Sequence, residues 1–338
     1  MNNEELLKMY AAIKSNPGEI VREAARHRLI NFARYMQPDL TLEPFHVVYY
    51  TLLDKFAHGE IKKMIVQMPP QHGKSEGSSR KLPAFMLGLN PDTKICIGSY
   101  AATIARDFNR DVQRIIDTQK YREIFPKTFL NGSNVVTMAN TYLRNSDVIE
   151  MVGHKGSLRV VGRGGALTSK TVDVMIMDDV YKDYSEGNSP IVRNAAWKWY
   201  TTVVKKRLHN KSQELIVFTR WHEEDLIGKI EKGGEKIIDI KSWDSIKNIP
   251  DGAWVRINFE ALKTGEPNEI DPREPGAALW ESMHSRAKLE RERALDPIQF
   301  QCLDQGNPGS AEGRLYRNPF RTYVDKSEWG LSLIHISE

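Results

Sequence analysis

The stretch Met64-Ile65-Val66-Gln67-Met68-Pro69-Pro70-Gln71-His72-Gly73-Lys74-Ser75 decides how this chain is read. MIVQM is a strand candidate, PPQHGKS a turn, and a helix is expected from about Glu76. A phosphate cradle needs three things at such a junction: backbone N–H groups pointing inward at a helix N-terminus, a lysine for the distal phosphates, and a hydroxyl for a divalent cation. Gly73, Lys74 and Ser75 supply the end of that pattern. The full pattern also has a glycine five residues before Gly73, where Met68 stands. Gly-Lys-Ser by itself also describes an ordinary surface turn. The strand before it and the helix after it favour the cradle.

Further along, short apolar runs alternate with amphipathic helices. KICIGSY (Lys94 to Tyr100) is the next strand, and its helix carries Ile104, Phe108, Val112, Ile115 and Ile116 on one face. VDVMIM (Val172 to Met177) leads into Asp178-Asp179, and ELIVFTR (Glu214 to Arg220) leads into Trp221-His222. Ser189-Pro190 reads as a helix start, a cap followed by proline in the first turn. Near-continuous apolar strands alternating with helices predict an α/β fold with a mainly parallel central sheet covered on both faces. Its polar chemistry collects at the carboxyl ends of the strands, where such sheets bind ligands.

Asp178-Asp179 is the second signal. One carboxylate can hold Mg²⁺ while the other positions or deprotonates water; a solvated turn or helix cap is the plainer alternative. Thr219, at the end of LIVF, is the third: a hydroxyl beside the phosphates can register whether the terminal one is present, and a plain polar strand end is its alternative.

Upstream, helices are expected over Leu6 to Ile13, Ile20 to Arg34 and Phe45 to His58, with breaks at Asn16-Pro17-Gly18, Pro38 and Gly59. Downstream, glycine and proline punctuate 231 to 282, which reads as an irregular lobe with a few strands. A helix from about Ser285 to Gln301 follows. The resulting divisions are an N-terminal helical region over 1–60, a nucleotide-binding core over 61–230, a linker or lid lobe over 231–305, and a tail over 306–338.

Composition narrows the class. The chain has 338 residues, 48 Lys plus Arg against 44 Asp plus Glu, and a net charge of +4. It is too apolar for a disordered chain and has no tract able to span a bilayer. Cys96 and Cys302 cannot build a disulfide framework, and no His/Cys pairs stand at zinc spacing. No secretory signal opens the chain, so a cytoplasmic protein is expected. The charge permits a nucleic-acid partner without arguing for one.

Together, MPPQHGKSE, IGSYAATIARDFNRDV, VMIMDDVYKD and FTRWHEEDLIGKI resemble the ATPase part of the tailed-phage terminase large subunit, from about residue 27 to about 320. The resemblance implies a P-loop NTPase of the ASCE/RecA-like type, using ATP and Mg²⁺ to package double-stranded DNA in the host cytoplasm. It implies a homo-oligomeric ring, a portal protein and a terminase small subunit as partners, and no membrane. Gln71, His72, Gly73, Lys74 and Ser75 would form the phosphate loop, Ser75 and Asp178 would hold Mg²⁺, and Asp179 would be the catalytic carboxylate. Thr219 would belong to the coupling motif. Phe45 and His46 fall where similar proteins place adenine-side contacts. Arg163, in GRGGALTSK, resembles an arginine presented to the neighbouring subunit's ATP.

Gln71 stands where many relatives carry arginine, and Asp179 where many carry glutamate. Such proteins usually continue into an RNase H-like nuclease, whose acidic cluster is missing here, so no nuclease activity is expected. LSLIHISE at the end reads as an adapter or cloning scar. For DNA, Lys205-Lys206-Arg207 and Lys155 with Arg159 are the candidate patches. Two other readings remain: a helicase-like P-loop ATPase, which should carry a second RecA-like lobe, and a non-hydrolysing nucleotide-binding assembly module.

Overall fold

The computed structural model describes residues 17–133, 141–167 and 171–309. Its eight strands are β1 (Lys63–Gln67), β2 (Lys94–Ser99), β3 (Val148–Glu150), β4 (Ser157–Gly162), β5 (Val172–Asp178), β6 (Leu208–Val217), β7 (Ile237–Asp239) and β8 (Trp254–Asn258). They form one sheet in the order β3-β4-β2-β5-β6-β1-β8-β7. Every pairing is parallel except β3 with β4. β6 runs between the two strands that carry the main motifs: Val66 pairs with Val217, and Val217 with Asp178.

Successive strand residues point to opposite faces, so a sheet covered on both faces needs apolar residues at nearly every position. Met64 and Val66 enter a core shared with Ile95, Val174 and Leu215, while Ile65 enters another with Met175, Ile216 and Trp254. Helices α1 (Pro17–His27), α2 (Leu29–Met36), α3 (Pro44–Ala57), α4 (Leu82–Leu89), α5 (Ala102–Asp117) and α6 (Gln119–Ile124) contribute to the first core. α8 (Pro190–Trp199) and α9 (Leu226–Lys232) contribute to the second, with the short α7 (Tyr184–Asn188) before them. α10 (Arg286–Leu295) and α11 (Pro297–Leu303) close the described chain.

Several expected boundaries shift for local reasons. The helix expected over Ile20 to Arg34 is two helices, because Arg28 is extended and the Leu29 N–H donates to Asp54 Oδ1 at 2.7 Å. The helix expected over Ser285 to Gln301 breaks at Asp296, whose Oδ1 caps Ile298 and Gln299 before Pro297. Ser189 does cap α8, accepting from the Val192 N–H at 3.4 Å. β7 and β8 arise within 231–282 and extend the central sheet beyond β1. The helix expected over Leu6 to Ile13 and the LSLIHISE tail lie outside the described residues, and among those described no helix is long and apolar enough to cross a membrane.

Candidate functional site

The order β5-β6-β1 brings three strand ends together. The loop after β1 turns through two left-handed residues, Gln71 at φ +60° and Gly73 at φ +81°. Glycine suits the second: a Cβ at Gly73 would lie 3.3 Å from His46 Nε2. Left-handed residues beside right-handed ones turn successive amides toward one concavity, the geometry of an anion-binding nest. The helix then starts at Lys74 and passes through a π-helical segment, Glu76–Lys81, into α4.

Lys74 is buried, and its Nζ lies 3.1 Å from Asp179 Oδ2. Burial alone would lower the lysine pKa, but the charges of Asp179 and Asp178 outweigh it and hold the value above the ordinary one. The Lys74 carbonyl accepts from the hydroxyls of Tyr49 and Ser78, which fixes the backbone beneath the ammonium.

Asp178 is fully buried. Its Oδ1 accepts from Ser75 Oγ at 3.0 Å, and its Oδ2 accepts from Ser79 and, at 3.5 Å, from Ser78. Burial raises its pKa above the usual carboxylate range and the neighbouring Asp179 adds to this, against Lys74 and the serine hydroxyls. Ser78 and Ser79 were not singled out in the sequence. Their signal is the spacing Ser75, Ser78, Ser79, which is i, i+3, i+4 and places three hydroxyls on one helix face.

Asp179 adopts φ +43°. Its N–H donates to the Val217 carbonyl at 3.1 Å, and its carbonyl accepts from the Tyr100 N–H at 2.9 Å. Backbone in this region is strained for a non-glycine residue, though aspartate tolerates it better than most. The Asp179 carboxylate also accepts from the Thr219 N–H at 3.4 Å, while Thr219 Oγ1 donates to the Met68 carbonyl at 3.5 Å. Thr219 thus touches both Asp179 and the entry to the loop after β1, as the position of β6 requires. Beyond it, Arg220 and Asp225 form a buried pair at 2.7 Å, and Asp225 caps α9.

The remaining candidates are placed differently. Phe45 and His46 are buried under the loop, packed against Phe259, Trp280 and His72. His46 Nδ1 accepts from the Glu43 N–H, so its Nε2 carries the proton and donates to the His72 carbonyl at 3.2 Å. Arg163 donates to both oxygens of Glu186, at 2.9 and 3.1 Å, and to the Val180 carbonyl at 2.7 Å. Glu186, whose pKa this pairing lowers, had no sequence signal of its own. Of the DNA candidates, Lys205 donates to buried Glu214 at 2.9 Å, and Arg159 lies 3.6 Å from Glu150.

A family profile described as terminase large subunit, T4likevirus-type, N-terminal, matches residues 65–316. A comparison with curated proteins found no match. Among solved structures, the HK97 bacteriophage large terminase aligns with a TM-score of 0.50 at 13% identity, over 83% of this chain and 55% of that one. This chain therefore spans about half the length of that relative. The Thermus phage P74-26 large terminase ATPase domain aligns at 15% identity with a TM-score of 0.48, over 82% of this chain and 97% of that one.

Proposed function

The chain belongs to the terminase large-subunit family, and from that premise we propose that it hydrolyses ATP to drive double-stranded DNA into a phage procapsid. The observation that carries the reading is the convergence of Lys74, Asp179, Asp178 and Thr219 at three adjacent strand ends. In this reading the amides from Gln71 to Ser75 cradle the phosphates, and Lys74 pairs with the distal ones. Asp179 orients the attacking water or accepts its proton, and Thr219 relays the presence of the terminal phosphate.

Ser75 Oγ and the Asp178 carboxylate are adjacent hard oxygen donors, which suit Mg²⁺ when phosphates and water complete its shell. Among the described residues no group of three or more His, Cys, Asp or Glu is arranged to hold a metal by itself, so the fit rests on that shared shell. Mg²⁺ held by Ser75 and Asp178 would neutralise charge developing on the phosphate oxygens.

The proposed partners are a homo-oligomeric ring, a portal protein and a terminase small subunit, in the host cytoplasm. Arg163 would act on a neighbouring subunit's nucleotide only after leaving Glu186. The adenine-side role of Phe45 and His46 requires the rings around Trp280 to shift, since both side chains are buried. The proposed division keeps 61–230 as the catalytic core, with 231–305 as a lid whose strands continue the sheet.

The test is phosphate release in the presence of DNA, comparing the wild type with Lys74→Ala and Asp179→Asn. Each variant should lose about 100-fold or more in turnover. Unchanged turnover in both would sink the assignment and favour a non-hydrolysing module.

A further inference from the structure

The phosphate loop is held from behind by stacked rings. The His72 ring lies 4.5 Å from that of His284, inclined by 21°. The His284 N–H donates to the Trp280 carbonyl at 2.7 Å, and Trp280 meets His46 edge-on with 4.9 Å between centroids. His46 in turn donates to the His72 carbonyl. These contacts converge on a residue flanked by left-handed Gln71 and Gly73. Strained backbone of this kind persists only where its surroundings impose it.

The hydrogen bonding of the stack is specific. His72 Nδ1 donates to the Pro70 carbonyl at 2.8 Å, so Nε2 is the lone-pair nitrogen, and it is buried without a partner. His284 Nδ1 accepts from the Lys288 ammonium at 3.1 Å, so its Nε2 carries the proton. That nitrogen has no partner at hydrogen-bonding geometry; burial and the nearby Lys288 charge hold the ring's pKa below the ordinary histidine value, against the Gln71 backbone. Burying an unpartnered nitrogen is costly, and the His72 ring is held in place by contacts with Phe45, Trp280 and, most closely, His284. Lys288 ties His284 to the first turn of α10, where the neighbouring Ser285 accepts from the Lys288 N–H.

We propose that His284 is a positioning residue for the phosphate loop: by stacking on His72 it holds the Gln71–Gly73 turn that aims the loop amides, and so links the segment from Trp280 into α10 to nucleotide occupancy. The proposal rests on the reading of this loop as a nucleotide site. Coupling of this kind is reciprocal. If the stack favours the nucleotide-binding shape of the loop, nucleotide must favour the stack, and Trp280 at its edge becomes a reporter.

The experiment measures binding of a fluorescent ATP analogue with Mg²⁺, and tryptophan emission on adding ATP, in the full chain. Wild type, Lys74→Ala, His284→Ala, His284→Phe and Trp280→Phe are compared. Losing one ring contact should weaken binding roughly threefold to tenfold in His284→Ala. His284→Phe keeps the stack and should stay within about twofold of wild type. The ATP-induced emission change should be present in wild type and His284→Phe and absent in His284→Ala and Trp280→Phe. Equal affinity in wild type and His284→Ala overturns the proposal. A phenylalanine variant that folds but binds as weakly as alanine also overturns it, and it decides the matter should the alanine variant fail to fold. Binding by wild type that Lys74→Ala abolishes upholds the nucleotide site independently of His284. No binding by wild type overturns both.

Discussion

The Lys74 ammonium lies 3.1 Å from Asp179 Oδ2 and so joins the loop after β1 to the end of β5 across β6. A phosphate bound as proposed would compete with Asp179 for that cation. Asp179→Asn removes the competitor while leaving the backbone able to keep its positive φ, since asparagine tolerates that region as aspartate does. The expected outcome is a split: nucleotide affinity rises by roughly fivefold, about 1 kcal/mol for a partly exposed pair, while phosphate release collapses. Equilibrium binding and single-turnover hydrolysis on the same protein check it.

Asp178 depends on the serines of the helix that begins at Lys74. Ser79→Ala removes a donor from a fully buried carboxylate and should cost about 1–3 kcal/mol of stability. Urea unfolding measures it. A variant as stable as wild type would show that Ser75 and Ser78 satisfy Asp178 without it.

Acid should loosen the site from beneath. Burial depresses the pKa of His46 and of His72 from 6.5 to about 4 each. Both are therefore neutral in the folded protein at pH 5, whereas the unfolded chain is mostly protonated there. The unfolded state binds more protons in that window, so stability is complete above about pH 6.5 and falls toward pH 4. One such histidine contributes on the order of 2 kcal/mol to the loss at pH 5. His72→Phe should flatten the pH dependence of the denaturation midpoint, and an unaltered profile would exclude His72 as its source.

Arg220 and Asp225 are both buried, and Asp225 also caps α9. Arg220→Met leaves that carboxylate unpaired, and the expected loss is about 3–5 kcal/mol. The double variant Arg220→Met/Asp225→Asn should recover part of it, because no isolated charge remains. Thermal unfolding of the three proteins tests the pairing.

The parts of this molecule written in consecutive residues were legible. MIVQM, KICIGSY and VDVMIM were legible as strands because burial on both faces leaves short, near-continuous apolar runs bounded by turn residues. Gly73, Lys74, Asp178 and Thr219 were singled out because each follows such a run or the turn that ends it. What escaped depends on side chains meeting across the fold. Nothing near Arg163 announces Glu186, and nothing near His72 announces His284; only folding brings each pair together. β6 begins at Leu208, ahead of the apolar run at Glu214, because Leu208 pairs with Val172 and Gln213 with Val174, with polar His209 to Ser212 bulging between them. β7 and β8 were blurred for a related reason: their surroundings are rich in turn residues, and pairing with β1 decides their place.

β1 is the first strand in the chain, and one of its two sheet neighbours, β8, is the last. On the ribosome its apolar edge, Met64-Ile65-Val66, stays open until Asn258 has been made, on the order of ten to forty seconds at usual elongation rates. An open, uncharged strand edge is a template for pairing with other chains. A chain ended after Gly234 should accumulate as aggregate, while one ended after Pro308 stays dispersed, as solubility after expression would show. The loop after β1 leads directly out of this strand, so its final setting waits for nearly the whole fold.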